Sequence, residues 1–180
     1  MANEEEFINT TFLRLSMLQE WRDIGIWEKF LNVYPIRTIV EIGTWQGAFS
    51  IILLLQCVQR NIKFFTFDVR RAKGLDSPAA IRVGLRDHFL QGDIFVDERF
   101  KGILADESLH PMLVYCDGGD KPKEFKFVVP LLQQGDIVVA HDWDREFLPH
   151  NVEPVADMVE PIFVNECENI GSLTRFWERR

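Results

Sequence analysis

The residues of this chain whose types and spacing can do chemistry lie in short clusters, each where an apolar run stops. They are Glu41-Ile42-Gly43-Thr44-Trp45-Gln46-Gly47, then Asp68, Gly92-Asp93, Asp117-Gly118-Gly119 and His141-Asp142. In the first cluster two glycines, Gly43 and Gly47, let the backbone turn sharply and approach a ligand with no Cβ in the way. A pyrophosphate loop wants Gly-x-Gly-x-x-Gly; here the middle glycine is missing and Glu41 precedes the turn. That pattern disfavours a pair of phosphates and favours a cationic or neutral cofactor. Asp68 follows Gly47 by 21 residues, where a carboxylate can accept both hydroxyls of a ribose. Asp93 stands where it can accept from an adenine amino group. Singly, each acid also reads as a loop residue capping a helix; it is their succession that points to a nucleoside.

Asp117 and His141-Asp142 form a second constellation. Two carboxylates and an imidazole that converge suit Mg²⁺, Mn²⁺ or Fe²⁺ better than a thiophilic ion. Alternatively His141 serves as a general base on a substrate hydroxyl, because an imidazole titrates near neutrality, or it only hydrogen-bonds Asp117.

These clusters need elements to hold them. Apolar positions from about Glu5 to Tyr34 (Phe7, Ile8, Phe12, Leu15, Leu18, Ile26, Phe30, Leu31) recur at helical spacing, with Gly25 dividing them into two N-terminal helices over residues 1–34. Five strands are predicted: Thr38–Ile42, Lys63–Phe67 ending at Asp68, His88–Gln91, Met112–Cys116 and Ile137–Ala140. Between them lie a largely apolar helix over Ala48–Arg60, a helical or irregular stretch from Pro78 to Leu85, an amphipathic segment around Phe100, Ile103 and Leu104, and a helix opening near Pro122 and stopped by Pro130. Ile162–Val164 and Ser172–Trp177, either side of Glu168–Gly171, predict an antiparallel hairpin. The alternation implies an α/β, Rossmann-like, doubly wound, mostly parallel sheet with helices on both faces over residues 36–180, the whole of 1–180 forming one domain. Ligands of such sheets bind beyond the carboxyl ends of the strands, where strand order reverses. All of the clusters above fall on that rim.

The chain's 180 residues suffice for one buried core, and a net charge of −8 argues against a nucleic-acid partner. Arg70-Arg71-Ala72-Lys73 and Arg179-Arg180 read as solvated charges. The acidic start and the lack of a long apolar run predict a cytoplasmic protein without a membrane partner, and Cys57, Cys116 and Cys167 read as reduced structural thiols.

Glu41-x-Gly43-x-x-x-Gly47, Asp68, Gly92-Asp93 and Asp117 together resemble the class I S-adenosylmethionine (SAM)-dependent methyltransferases over about residues 36 to 145. The resemblance implies that Gly43 and Gly47 lie against the methionine part of SAM, that Asp68 holds the ribose and Asp93 the adenine, and that Glu41 orders the loop or meets the ammonium group. The second half of the chain is similar to metal-dependent O-methyltransferases of the catechol type and to the cephalosporin-hydroxylase-like group, in which an acid after the fourth strand and a polar pair after the fifth bind the cation. Here His141 stands where those families have Asp or Glu. They also place a lysine soon after the fourth-strand acid; this chain has Asp120 there, then Lys121. Packing is the expected role of Trp45 and Trp143, and Trp21, Trp27 and Trp177 are expected to anchor the core or an interface. The expectation is methyl transfer to the oxygen of a small molecule by a homo-oligomer or monomer, with a non-catalytic SAM- or nucleoside-binding regulator and a nicotinamide oxidoreductase as rivals.

Overall fold

A computed structural model describes the chain from Thr10 to Arg180. A strand pair, β1 (Thr10–Phe12) and β2 (Leu15–Met17), precedes α1 (Trp21–Val33). Then follow β3 (Thr38–Ile42), α2 (Ala48–Arg60), β4 (Lys63–Asp68), α3 (Pro78–Val83), α4 (Leu85–His88), β5 (Phe89–Gln91), α5 (Glu98–Ala105), β6 (Met112–Cys116), α6 (Lys121–Val128) and β7 (Ile137–Ala140). The chain closes with β8 (Val159–Ile162), α7 (Val164–Asn169) and β9 (Arg175–Arg179).

The sheet runs β5-β4-β3-β6-β7-β9-β8, with β3 to β7 parallel and β9 antiparallel to both β7 and β8. Every residue of β3, β6 and β7 is buried, as a parallel sheet covered on both sides requires. Alternation along β3 sends Ile39 into a core shared with Trp27, Phe30, Phe49 and Leu53, and Val40 and Ile42 into one shared with Phe100, Phe125 and Phe147. Trp27 is the hub of the first core, edge-on to Tyr115 at 4.9 Å between ring centroids; Trp177 serves the second, edge-on to Phe125 at 5.0 Å. Strand order reverses at the β3/β6 boundary, and that reversal opens the crevice.

Two expectations are corrected. Residues 10–17 form a hairpin instead of helix, while Phe7 and Ile8 lie outside the described residues. Phe12 and Leu15, three apart, face each other across the turn, which mimics helical spacing; Leu13 and Arg14 take positive φ without the glycine or asparagine that usually marks such a turn. Gly25 does not split α1, which runs through it. At the other end the predicted tail strands do pair antiparallel, yet through α7 and not a tight turn. Phe163, at φ 58°, ends β8 two residues before the expected boundary, and the pairing begins upstream at Val159 with Pro161 on an edge strand. His88 ends α4 and does not open β5.

Glu41, at the middle of the sheet, is wholly buried on the α2 side. Ser50 Oγ and Thr66 Oγ1 both donate to its Oε2, the latter at 2.6 Å, and Thr66 in turn meets the hydroxyl of Thr44. Burial raises the Glu41 carboxyl to about 8 against those two hydrogen bonds, with Asp117 and Asp68 adding to the rise. The folded state therefore prefers the protonated acid. The associated stability is complete below the ordinary value of 4.5 and is lost as pH climbs from there through about 8. Chemical denaturation of wild type and Glu41→Gln across this window should show a decline in stability that is smaller in the amide variant; parallel pH profiles would refute it.

Two glycines make opposite predictions. A Cβ on Gly25 meets nothing, so Gly25→Ala should stabilise the protein by roughly 0.5–1 kcal/mol in urea melts. Gly43, at φ 100°, has the backbone carbonyl of Asp117 where its Cβ would lie, so Gly43→Ala should cost about 1–3 kcal/mol or more.

Candidate functional site

The β3–α2 turn sits directly above the order reversal. Gly43 and Gly47 both take positive φ, Gly47 caps α2 from the left-handed region, and its N–H bonds Thr44 O at 2.8 Å. Gly43 lets the turn touch the end of β6. Gly47 is buried beside Leu85, lines neither of the two cavities described below, and caps the start of α2. Glu41 also lines no cavity: it orders the turn through Thr66 and Thr44 and is not placed to meet a ligand charge. Its expected electrostatic preference for a cation is thereby replaced by a structural one. Trp45, at φ 47° and 44% exposed, stands at the mouth of the crevice instead of packing as expected. Trp143 does pack, against Phe147 and Trp177.

Two cavities of about 550 and 310 Å³ meet along Gly43, Asp68 and Gly118-Gly119. Both fall in the roughly 300–1,000 Å³ range of small-molecule sites. Asp68 stands on the shared border. Its Oδ2 accepts from Trp45 N at 2.9 Å and its Oδ1 from Arg70 N at 3.0 Å, which leaves free lone pairs on both oxygens. Asp93 lies in the smaller cavity with Phe67, Ile94 and Phe95, its Oδ1 held by Phe95 N at 3.0 Å. Glu124, which sequence reasoning missed, also lines this cavity and takes the N–H groups of Gly118 and Asp120 at 3.1 and 3.2 Å. Burial raises its carboxyl to about 7 against those backbone bonds, with the Asp117 charge contributing.

Asp117, His141 and Asp142 converge in the larger cavity, each offering a ligand atom within 4.8 Å of the others; this is the candidate metal cluster among the described residues. His141 is 2% exposed, and its Nδ1 is 3.3 Å from an oxygen of Asp117 and 3.3 Å from one of Asp142. Burial lowers the imidazole's affinity for a proton, but Asp117, Asp142 and Asp23 overcome it and raise the pKa well above the usual value. Asp142, raised by burial, is carried far below the carboxylate range by His141 and Lys121. It adopts φ 58°, and its carbonyl accepts from the N–H groups of Arg145, Glu146 and Phe147. That tight loop fixes the carboxylate's direction.

Lys121 belongs to the site more firmly than its position in the sequence suggests. Its buried ammonium lies 3.0 Å from Asp142, 2.7 Å from Glu146, 3.3 Å from Gly118 O and 3.9 Å from Asp117. Burial lowers its proton affinity, and the surrounding carboxylates more than restore it. Gln19, Asp23, Arg145 and Glu146 were not singled out from sequence. Gln19 donates its amide to Asp117 from the segment after β2, which with Ser16, Met17 and Leu18 walls the larger cavity. Only the run of polar residues after Asp142 offered any signal for Arg145 and Glu146, and none existed for Gln19.

In comparisons with known proteins, no family model and no curated protein matches the sequence. Solved structures do. CmcI with Mg and SAM is 18% identical, with 97% of this chain and 78% of that chain covered and a TM-score of 0.70. The O-methyltransferase TomG from Streptomyces achromogenes with SAM is 20% identical (68% and 56% covered, TM-score 0.52), and an RNA methyltransferase from Salinibacter ruber with S-adenosyl-L-homocysteine is 16% identical (89% and 92% covered, TM-score 0.53). Strand order, the antiparallel β9 and this structural likeness agree: the chain has the fold of the class I SAM-dependent methyltransferases.

Proposed function

We propose that this protein binds SAM across the two joined cavities and transfers its methyl group to an oxygen of a small hydroxylated molecule. The observation that carries the reading is Asp68 on the border between the cavities, at the carboxyl end of β4, next to the strand where the sheet order reverses. A ribose bound there would send adenine toward Asp93, Ile94 and Phe95, and the methionine arm toward Gly43, Thr44 and the Asp117 cluster. The reported neighbours include proteins holding SAM or S-adenosyl-L-homocysteine, which supports the choice of cofactor.

In the reaction, an acceptor oxygen attacks the sulfonium methyl in line; the C–O bond forms as the C–S bond breaks, and the acceptor proton passes to a base. The chain's main contribution is alignment, with the reacting atoms about 3–3.5 Å apart. The larger cavity carries the means. The carboxylates of Asp117 and Asp142 are the proton acceptors nearest the methyl end, and His141 Nδ1 joins them only after the imidazolium has released its proton. Lys121 offsets the charge of Asp117, Asp142 and Glu146, and Trp45 and Leu18 supply an apolar wall for the acceptor. The two carboxylates and the imidazole also fit a divalent cation such as Mg²⁺, Mn²⁺ or Fe²⁺, because their donor atoms cluster and are hard oxygens with one nitrogen. Asp117, His141 and Asp142 would hold it, and when bound it supplies orientation and a lowered pKa to the acceptor hydroxyl.

Calorimetry and turnover separate the parts. Asp68→Ala should weaken SAM binding roughly ten- to a hundredfold, the worth of one charge-assisted hydrogen bond. Asp142→Asn, which tolerates the positive φ, should keep cofactor affinity within a few-fold and abolish most turnover with a panel of phenols and sugars. Equal losses of both properties in both variants would defeat the division of labour, and SAM binding with no turnover on any acceptor would favour a non-catalytic regulator. SAM should also raise the melting temperature where NAD does not: at a hundred times its Kd, a ligand adds about 2.7 kcal/mol.

A further inference from the structure

The proposed chemistry leaves one charged side chain beside the cluster without a task. Asp23, in the first turn of α1, is completely buried on the side of His141 away from Asp117 and Asp142. A buried carboxylate is costly unless its partners compensate for lost water. Capping α1 explains only part of its bonding: Glu20 N donates to Oδ2 at 3.2 Å, a role that an exposed acid fills equally well. Ser172 Oγ donates to Oδ1, and Thr174 N holds that hydroxyl at 3.0 Å, so the approach to β9 locks the carboxylate in place. What Oδ2 faces in addition is Nε2 of His141, at 3.8 Å. That nitrogen is buried and has no hydrogen-bond partner, whereas Nδ1 of the same ring faces both site carboxylates. The separation exceeds a hydrogen bond, but such contacts are often long and tighten when reactants bind.

We infer that Asp23 is a positioning residue: it accepts the Nε2 proton of His141 and holds the ring so that Nδ1 is the atom presented to Asp117, Asp142 and the acceptor. With an acceptor behind Nε2, Nδ1 is the nitrogen turned to the cavity, both in the imidazolium that the neighbouring carboxylates favour and in the neutral ring that acts as a base or metal ligand once Nδ1 has given up its proton. The inference rests on the methyltransferase reading for its kinetic consequences, while the orientation of the ring does not. It also gives α1 a part in the chemistry, through a residue that touches no substrate.

Long-range ¹H–¹⁵N NMR of ¹⁵N-histidine-labelled protein, with His141 assigned by its absence in His141→Ala, should find Nε2 protonated. A ring protonated on Nδ1 alone would overturn the inference, and this wild-type spectrum decides even if the Asp23 variants fold poorly. Asp23→Ala should lose the Nε2–H signature and slow turnover roughly ten- to a hundredfold with SAM affinity unchanged by calorimetry. Asp23→Asn should recover most of the rate, because its amide oxygen can accept from both Glu20 N and Nε2. In the Asp23→Ala/His141→Ala double variant the rate should match that of His141→Ala alone, whereas additive losses would mean that Asp23 acts elsewhere. If wild type binds no SAM and methylates nothing, the functional reading fails separately, and the spectrum still answers for Asp23.

Discussion

Burying the carboxylate of Asp117 at the carboxyl end of β6 is the constraint around which the rest of the structure is arranged. Asp117 is where the sheet changes direction, so helices leave the rim open, yet its side chain is largely withdrawn from water. Gln19 donates to it, His141 and Lys121 bring positive charge toward it, and its backbone carbonyl sits so close to Gly43 that no side chain fits between them. Its field reaches further still, since it contributes to the raised carboxyls of both Glu41 and Glu124. One negative charge thus ties together the β3–α2 turn, the α6 start and the β7 end.

Charge balance in the larger cavity follows from this. Asp23, Asp117 and Asp142 surround His141, while Asp142 and Glu146 hold Lys121, so each cation is shared by more than one carboxylate. The cluster is rich in negative charge before any ligand arrives. Such a surface favours a cationic ligand over a phosphate-bearing one, a preference that the sequence pattern had credited to Glu41. Glu41, protonated over most of the neutral range, instead acts through hydroxyls, joining β3 to β4 and α2 beneath the turn.

The N-terminal segment supplies what the sheet alone lacks. The turn after β2 walls the larger cavity and delivers Gln19, and α1 delivers Asp23 behind His141. The sheet and its crevice therefore borrow cover from residues that precede them in the chain. Ser172, leading into β9, closes the same network from the opposite end of the sequence.

Much of this was legible in the residues themselves. The bounds of β3, α2, β6 and β7 follow from β-branched or apolar runs that stop at glycine, asparagine, an acid or histidine, because a parallel strand buried on both faces permits little else. The acids at the strand ends were visible for the same reason: once the strands are placed, the rim is placed. Local pattern was insufficient where two structures share a period, as for Phe12 and Leu15, or where a left-handed residue such as Phe163 ends a strand without glycine. It could not show that Trp45 faces outward, that Glu41 is neutral, or that Asp23 and His141 meet. Those depend on burial and on contacts between distant segments, which arise only when α1 and the tail close over the sheet. Thus the order of residues determined the strands and the acids at their ends, and tertiary packing decided each acid's charge state, partner and direction.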